Sequence, residues 1–341
     1  MMARTRYFVV ASLLVLSVGV GTGLVAYYVG FPAGAFASRG GPVELGMVPR
    51  NVAILASVNV HEVMISELRQ KLHKALPFEE NGQREFQDHT GINIETDVDR
   101  IVACLNPDGA ASTGLGGGMV LARGRFDEVK IEALMREHGG HVEEYRGKRL
   151  VVAPAENHPT SFAVAFVEPG LVAVGSTNII HTALDLHQGG ANPQTGVASV
   201  TGNEELMTLV RSLDTGNAWA VGRFDLLMAH ARLPQGVANQ LPAITWFAVN
   251  GHVNGGLRGT IRAETRDEEA ANNLRDVMRG FMALAKLQGG SRPEIQTMMQ
   301  SLELGGTGKT VALSFDVPAE VFDAAAAMLP KKTPRLPERE R

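Results

Sequence analysis

Gly305-Gly306-Thr307-Gly308-Lys309-Thr310 ends like a phosphate-binding loop, in which backbone amides and a lysine cradle a phosphate. That pattern requires glycine five places before Gly308, where this chain has Glu303. It also requires a helix to follow, so that amides and dipole meet the anion. Val311 to Phe315 reads instead as a strand, which makes the glycines a hairpin turn. His61-Glu62-Val63-Met64-Ile65 begins like a zinc-protease helix, but the second ligand position is Ile65. His138 and His141 flank two glycines at a helix end, where His138 favours the helix C-terminus through the dipole. Gly289-Gly290-Ser291-Arg292-Pro293 lacks the last glycine of a nucleophile elbow and follows a helix. Gly114 to Gly118 holds glycines without a full dinucleotide fingerprint. Asp97 and Asp99 read as a solvated helix start. Trp219 and Trp246 fall in strands and read as packing residues. Arg125 and Arg223 each precede Phe-Asp at a strand end, where a salt bridge would fix the strand-to-helix corner. No residue is assigned a catalytic, cofactor-binding or metal-ligating role, and no cofactor is expected.

Composition narrows the classes. The chain has 341 residues, 45% of them hydrophobic, which is ample for a packed core. Net charge is −4 and no basic stripe is present, so nucleic acid is not an expected partner. Cys104 is the one cysteine, so no intrachain disulfide can form. It lies in the apolar run Ile101–Leu105, where a buried, inert thiol is expected.

The run from Tyr7 to Gly30 carries no charge. At about 1.5 Å of rise per residue it is long enough to cross a hydrocarbon core of roughly 30 Å. Arg4 and Arg6 before it orient the N-terminus to the cytoplasm and the remaining chain outward. Its length favours an uncleaved signal anchor over a signal cleaved after Ala37, although Ala35-Phe36-Ala37 offers a small-residue site. Gly19 and Gly23 form a small-xxx-small pair through which two copies could pack as a homodimer. The expected organisation is a cytoplasmic N-terminus at 1–6, a transmembrane anchor at 7–30 and a spacer at 31–47. A first α+β repeat at 48–190, a second at 191–330 and a disordered tail at 331–341 follow.

Within the body, apolar alternation and turn residues predict strands at Val52–Val60, Ile101–Leu105, Gly118–Arg125, Ser161–Val167, Leu171–Val174, Trp219–Arg223, Ile244–Val249, Leu257–Arg262, Leu302–Leu304 and Val311–Phe315. A hairpin is expected about Arg146-Gly147-Lys148, and Asn250-Gly251 and Asn254-Gly255 are hairpin signals. Helices are expected at His61–Leu76, Phe78–His89, Val129–His138, Asn178–His187, Asn203–Leu213, Leu226–His230, from Asp267 to Leu287, and from Asp316 to Met328. Strand, then Asp, then helix recurs at Asp127, Asp225, Asp267 and Asp316, with Asn59 as a looser case; each side chain would cap the helix it precedes. Gly222-Arg223-Phe224-Asp225 repeats Gly124-Arg125-Phe126-Asp127. The fold class is therefore α+β: a duplicated unit of mostly antiparallel sheet with helices packed on one side, preceded by one transmembrane helix.

With Gly91-Ile92-Asn93-Ile94-Glu95, Leu121–Asp127, Asn217–Asp225 and Leu304–Thr310, the chain resembles a family of uncharacterised exported bacterial proteins with a single N-terminal anchor. That resemblance implies a location, a single-pass inner-membrane protein with its bulk in the periplasm or outside the cell, and no reaction. The expected role is a non-enzymatic binding or envelope-support module, with a lipid or an envelope protein as ligand. Two alternatives stay open: a hydrolase-like periplasmic enzyme whose site is assembled from distant residues, and a lipid-binding carrier.

Overall fold

A computed structural model describes residues 41–70, 87, 88, 90–106, 117–153, 161–189, 198–214, 216–226, 243–289, 293–319, 321 and 322. The run from Tyr7 to Gly30, Gly19, Gly23, Ala37, the tail at 331–341 and nearly all of the helices expected at Phe78–His89 and Leu226–His230 lie outside those residues. Among the described residues, no helix is long and apolar enough to cross a membrane.

Twelve strands form one antiparallel sheet. They are β1 (Ile54–Val58), β2 (Val98–Leu105), β3 (Gly118–Gly124), β4 (His141–Tyr145), β5 (Lys148–Ala153), β6 (Phe162–Glu168), β7 (Leu171–Ser176), β8 (Ala218–Arg223), β9 (Ile244–Val253), β10 (Gly256–Thr265), β11 (Glu303–Gly305) and β12 (Thr310–Pro318). The order across the sheet is β11-β12-β10-β9-β8-β1-β2-β3-β7-β6-β5-β4. The seam is the β1–β8 pair, in which Ala56 lies opposite Ala220. Outward from it, each half runs through three strands in chain order. It then skips to the last strand of the half, β7 or β12, and steps back to β6 or β11. On this order β8 corresponds to β1 and β10 to β3, so Asp225 matches Asn59 and Asp267 matches Asp127. The repeated Gly-Arg-Phe-Asp segments thus occupy different places, at the ends of β3 and β8. They share a local device. The Arg125 amide donates to Asp97 O at 2.7 Å, and the Arg223 amide to Ala53 O at 2.8 Å. A Cβ on Gly124 or Gly222 would lie 2.0 or 2.4 Å from the same carbonyls, which is why only glycine fits before each arginine.

The helices are α1 (Val60–Ile65), α2 (Ile94–Asp97), α3 (Glu128–Glu137), α4 (Thr177–Gly189), α5 (Glu204–Arg211), α6 (Glu268–Gly289) and α7 (Pro293–Gln300). Their starts follow the expected capping. Asn59, Asp127 and Asp267 accept from the amides of Glu62, Lys130 and Ala270 at 3.2, 3.1 and 2.8 Å. Losing such a cap costs about 1 kcal/mol, so Asn59→Ala should lower stability by roughly that amount in urea unfolding. Asp316 departs from the pattern. It lies inside β12 opposite Arg258, and helix resumes only at Ala319, because pairing with β10 carries the strand through to Pro318. The helix expected from His61 is broken at Ser66. The Ser66 hydroxyl donates to Val63 O and accepts from the Arg69 amide, ending one turn and starting the next. Asn250-Gly251 sits within β9, and the β9–β10 turn falls at Asn254-Gly255. At the β4–β5 turn Arg146 and Gly147 both have positive φ, 53° and 69°, as a two-residue type I′ hairpin requires.

Helices cover both faces of the sheet, not one. On one face α3 places Ile131 against Val151, Val164, Phe166 and Val172. The helix α6 sets Ala271 and Leu274 against Val311. On the other face, Ile180 and Leu184 of α4, over β3, β7 and β6, and Leu206 of α5, over β8, belong to one continuous core with Leu150, Val152, Ala165 and Leu171. The reason is visible in β6, where Ala163, Val164, Ala165, Phe166 and Val167 are all buried, so neither set of alternating side chains can face water. The sheet ends are guarded: β11 has three residues, and β4 carries Glu143 and Glu144. The stretch from Val43 to Met47, within the expected spacer, is a 3-10 turn with Leu45 and Met47 buried against the body.

Cys104 is 6% exposed on β2. Burial pushes its thiol up to about 12, against a smaller opposing backbone hydrogen bond from Met119. The native chain should therefore not react with a disulfide reagent such as DTNB at pH 8, and one thiol per chain should titrate after unfolding.

Candidate functional site

Gly114 to Gly116 and Gly290 to Arg292 lie outside the described residues; the other residues with suggestive spacing are held apart and occupied structurally. Gly305 to Thr310 is the β11–β12 turn, closed by the Thr310 amide donating to Thr307 O at 3.0 Å. His138 Nδ1 lies 2.8 Å from Leu134 O at the end of α3, while His141 Nε2 lies 2.8 Å from Glu143. Asp97 ends α2, where it accepts from the Asn93 amide at 2.9 Å, and Asp99 is exposed in β2. Trp219 and Trp246 pack against the main core. The two arginines behave differently. Arg223 makes a bidentate pair with Asp225, its Nε 2.8 Å from Oδ1, and lies 5.0 Å from the centre of the Trp246 ring. The Arg223 hydrogen bond holds Asp225 below the usual carboxylate range, with burial opposing it. Arg125 is exposed, donates to Thr96 O and sits 3.8 Å from Asp97. Arg223 thus fixes its strand-to-helix corner as expected, whereas Arg125 does not pair with Asp127 and instead ties the end of β3 to the end of α2.

A different cluster forms on the face that carries α4. A cavity of about 510 Å³ opens between the Val43–Met47 turn, the C-terminal end of α4 and residues 198–202. Met47, Leu171 and Leu186 supply apolar wall, and Glu44, Arg123 and Glu168 supply charge. Three elements deliver those charges. Arg123 continues the face of β3 that buries Met119 and Leu121. The register shifts between Phe166 and Glu168 on β6, so Val167 and Glu168 turn to the same face and Glu168 pairs with Leu171. Without this bulge Glu168 would follow Phe166 to the opposite face. Glu44 is carried by the Val43–Met47 turn, which is tied down by Val200 N to Val48 O at 2.8 Å and Arg50 N to Ala198 O at 2.8 Å.

Arg123 bridges the two carboxylates: Nε lies 2.5 Å from Glu44 Oε1, and its terminal nitrogen 2.9 Å from Glu168 Oε1. The Glu44 hydrogen bond, opposed by burial and helped by Glu168, strengthens the hold of Arg123 on its proton. Glu44 is only 2% exposed, and its Oε2 has no hydrogen-bond partner among the described residues. A buried acceptor left unmet costs on the order of 1–3 kcal/mol, and this oxygen has almost no surface open to the cavity. The rim is more open: Arg123 is 33% and Glu168 39% exposed. His187, near the end of α4, is exposed beside it. Ser199 and Thr201 are occupied with each other, their hydroxyls 2.6 Å apart.

Neither Glu44 nor its partners stand out in the sequence as a site, since Glu44 and Arg123 are 79 residues apart and Arg123 and Glu168 are 45 apart. The available signal was a lone acid in the apolar segment Pro42–Met47 and a lone arginine late in an apolar strand. Among the described residues, no three His, Cys, Asp or Glu side chains converge to hold a metal ion.

Fold and cavity together define an α+β body built on one continuous antiparallel sheet with a small, partly charged pocket on one face. No protein-family model matches the chain, and no curated protein matches it. Among solved structures it is similar to crystal form I of TP0453, with 10% identity over 83% of this chain and 96% of that one and a TM-score of 0.45. A likeness at that level carries no functional inference.

Proposed function

We propose that the chain is a membrane-tethered, extracytoplasmic binding module, made of two copies of one α+β unit, that holds a small, partly apolar ligand in the cavity beside Glu44. The carrying observation is a cavity of about 510 Å³, a volume in the range of small-molecule sites, lined by apolar walls and a few convergent charged groups. The common strand order on either side of the β1–β8 seam supports the duplication. The charge-free run from Tyr7 to Gly30 supports the tether. Residues 31–40, between that run and the first described residue, reach at most about 35 Å even when extended. The cavity is built partly from the first turn of the body, so a short tether keeps it near the bilayer surface.

Gly46 provides the test. It lines the cavity, its φ is not positive, and a Cβ placed there meets nothing within 4 Å. Gly46→Leu should fill the cavity while leaving stability within about 1 kcal/mol of the parent. Native mass spectrometry of the full chain released from its own membranes should show a co-purified small molecule that Gly46→Leu no longer carries. A parent chain without any bound molecule, or equal loading of the two proteins, would refute the assignment.

A further inference from the structure

Resting on the tether of the proposed function, we infer that α6 is a second membrane contact, whose outer side lies on the surface of the same bilayer. The observation is a stripe of apolar side chains on α6: Val277 is 48%, Phe281 64% and Leu284 55% exposed. Steps of four and three residues line them along one side of the helix. Arg279 lies off that side and pairs with Asp276 at 2.7 Å, so covering the stripe buries no charge. The other half of the sheet shows how much helix is needed for packing. The counterpart of α6 there is α3, and Ala271 follows Asp267 by four residues as Ile131 follows Asp127. The helix α3 has 10 residues, whereas α6 has 22. Ala271 and Leu274, the buried residues that seat α6 on the sheet, precede Val277. Phe281 and Leu284 fall in the added length, and they stay open although α7 also packs on α6.

The size of the stripe favours lipid over a protein or a second copy. Covering it removes on the order of 300 Å² from water, well short of the about 800 Å² that each partner buries in a stable protein interface. A bilayer asks less. The tether already holds the body at its surface, so a second contact only has to orient the body there. Reach permits it as well. Residues 31–40 extend to about 35 Å, more than the roughly 30 Å through a helix, the sheet and a second helix. Gly41 stands beside Val210 of α5, on the face opposite α6, and the anchor can still enter the bilayer on which α6 lies. In this orientation the cavity, on the face that carries α4, opens away from the lipid.

The test uses the full chain in vesicles of phosphatidylcholine and phosphatidylglycerol, with an NBD fluorophore on one introduced cysteine. Cys104 is buried and does not compete for the label. Gly280→Cys places the label beside the stripe, where a Cβ meets nothing within 4 Å. Thr208→Cys places it on the exposed side of α5, across the sheet. A nitroxide high on the lipid acyl chain should quench the Gly280→Cys label at least about twofold more than the Thr208→Cys label, since an interfacial helix sinks its apolar side about 5–10 Å. Adding Val277→Ser, Phe281→Ser and Leu284→Ser, all at exposed positions, should lower that quenching to the Thr208→Cys level. Equal quenching at the two positions, or quenching that survives the three serines, would overturn the inference. So would a Gly280→Cys emission that shifts to the blue only as protein density rises, because a second copy would then cover the stripe. A carbonate wash separates this contact from the tether. A chain that stays with the vesicles without Gly280→Cys quenching keeps the tether and loses the α6 contact, whereas a chain that carbonate releases loses both.

Discussion

Arg123→Met is expected to destabilise the body by about 3–5 kcal/mol, the cost of leaving a buried carboxylate without its counter-charge. Glu44 is 2% exposed, and its 2.5 Å contact with Arg123 Nε is the one compensating interaction the described residues give it. Methionine retains the apolar stem of arginine, so lost packing contributes little. The contact between Arg123 and Glu168 contributes less than the one with Glu44, because Glu168 is 39% exposed and water replaces the guanidinium there. Guanidinium unfolding of the parent, Arg123→Met and the double variant Glu44→Gln with Arg123→Met measures the effect. Removing the charge at Glu44 as well should recover most of the loss, and a double variant as unstable as Arg123→Met would show that the cost lies in packing.

Leu55→Ala should cost about 2–5 kcal/mol, as truncation of a fully buried leucine does. Leu55 has no exposed surface, and it stands on β1 opposite Cys104 on one side and Val221 on the other. It therefore packs at the seam where the two halves of the sheet meet, and its loss opens a cavity that neither half can close alone. Val129→Ala, at a site 79% exposed, is the control and should change stability by less than about 0.5 kcal/mol. If the halves were independent, Leu55→Ala would split unfolding into two transitions, whereas one continuous sheet should unfold in one shifted transition.

Much of this architecture was legible locally. Apolar alternation located most of the strands, and Asn59, Asp127 and Asp267 marked helix starts because an Asx side chain satisfies a first-turn amide at short range. What sequence could not supply were relations across the sheet. Asp316 resembles a cap until β10 pairs with it. The apolar residues of β6 imply two covered faces, but which helix covers which face is decided by connections between distant segments. The site depends on such relations throughout. Glu168 reaches Arg123 only because of a bulge, and Glu44 reaches it only because residues 198–202 pin the first turn of the body.

The most direct measurement is a crystal structure of the full chain purified from its own membranes, with the density read between Met47, Leu171 and Leu186. A tethered ligand-binding body predicts a bound molecule there, in contact with the apolar wall. A cavity closed by the Val43–Met47 turn, or filled by water alone, would contradict it.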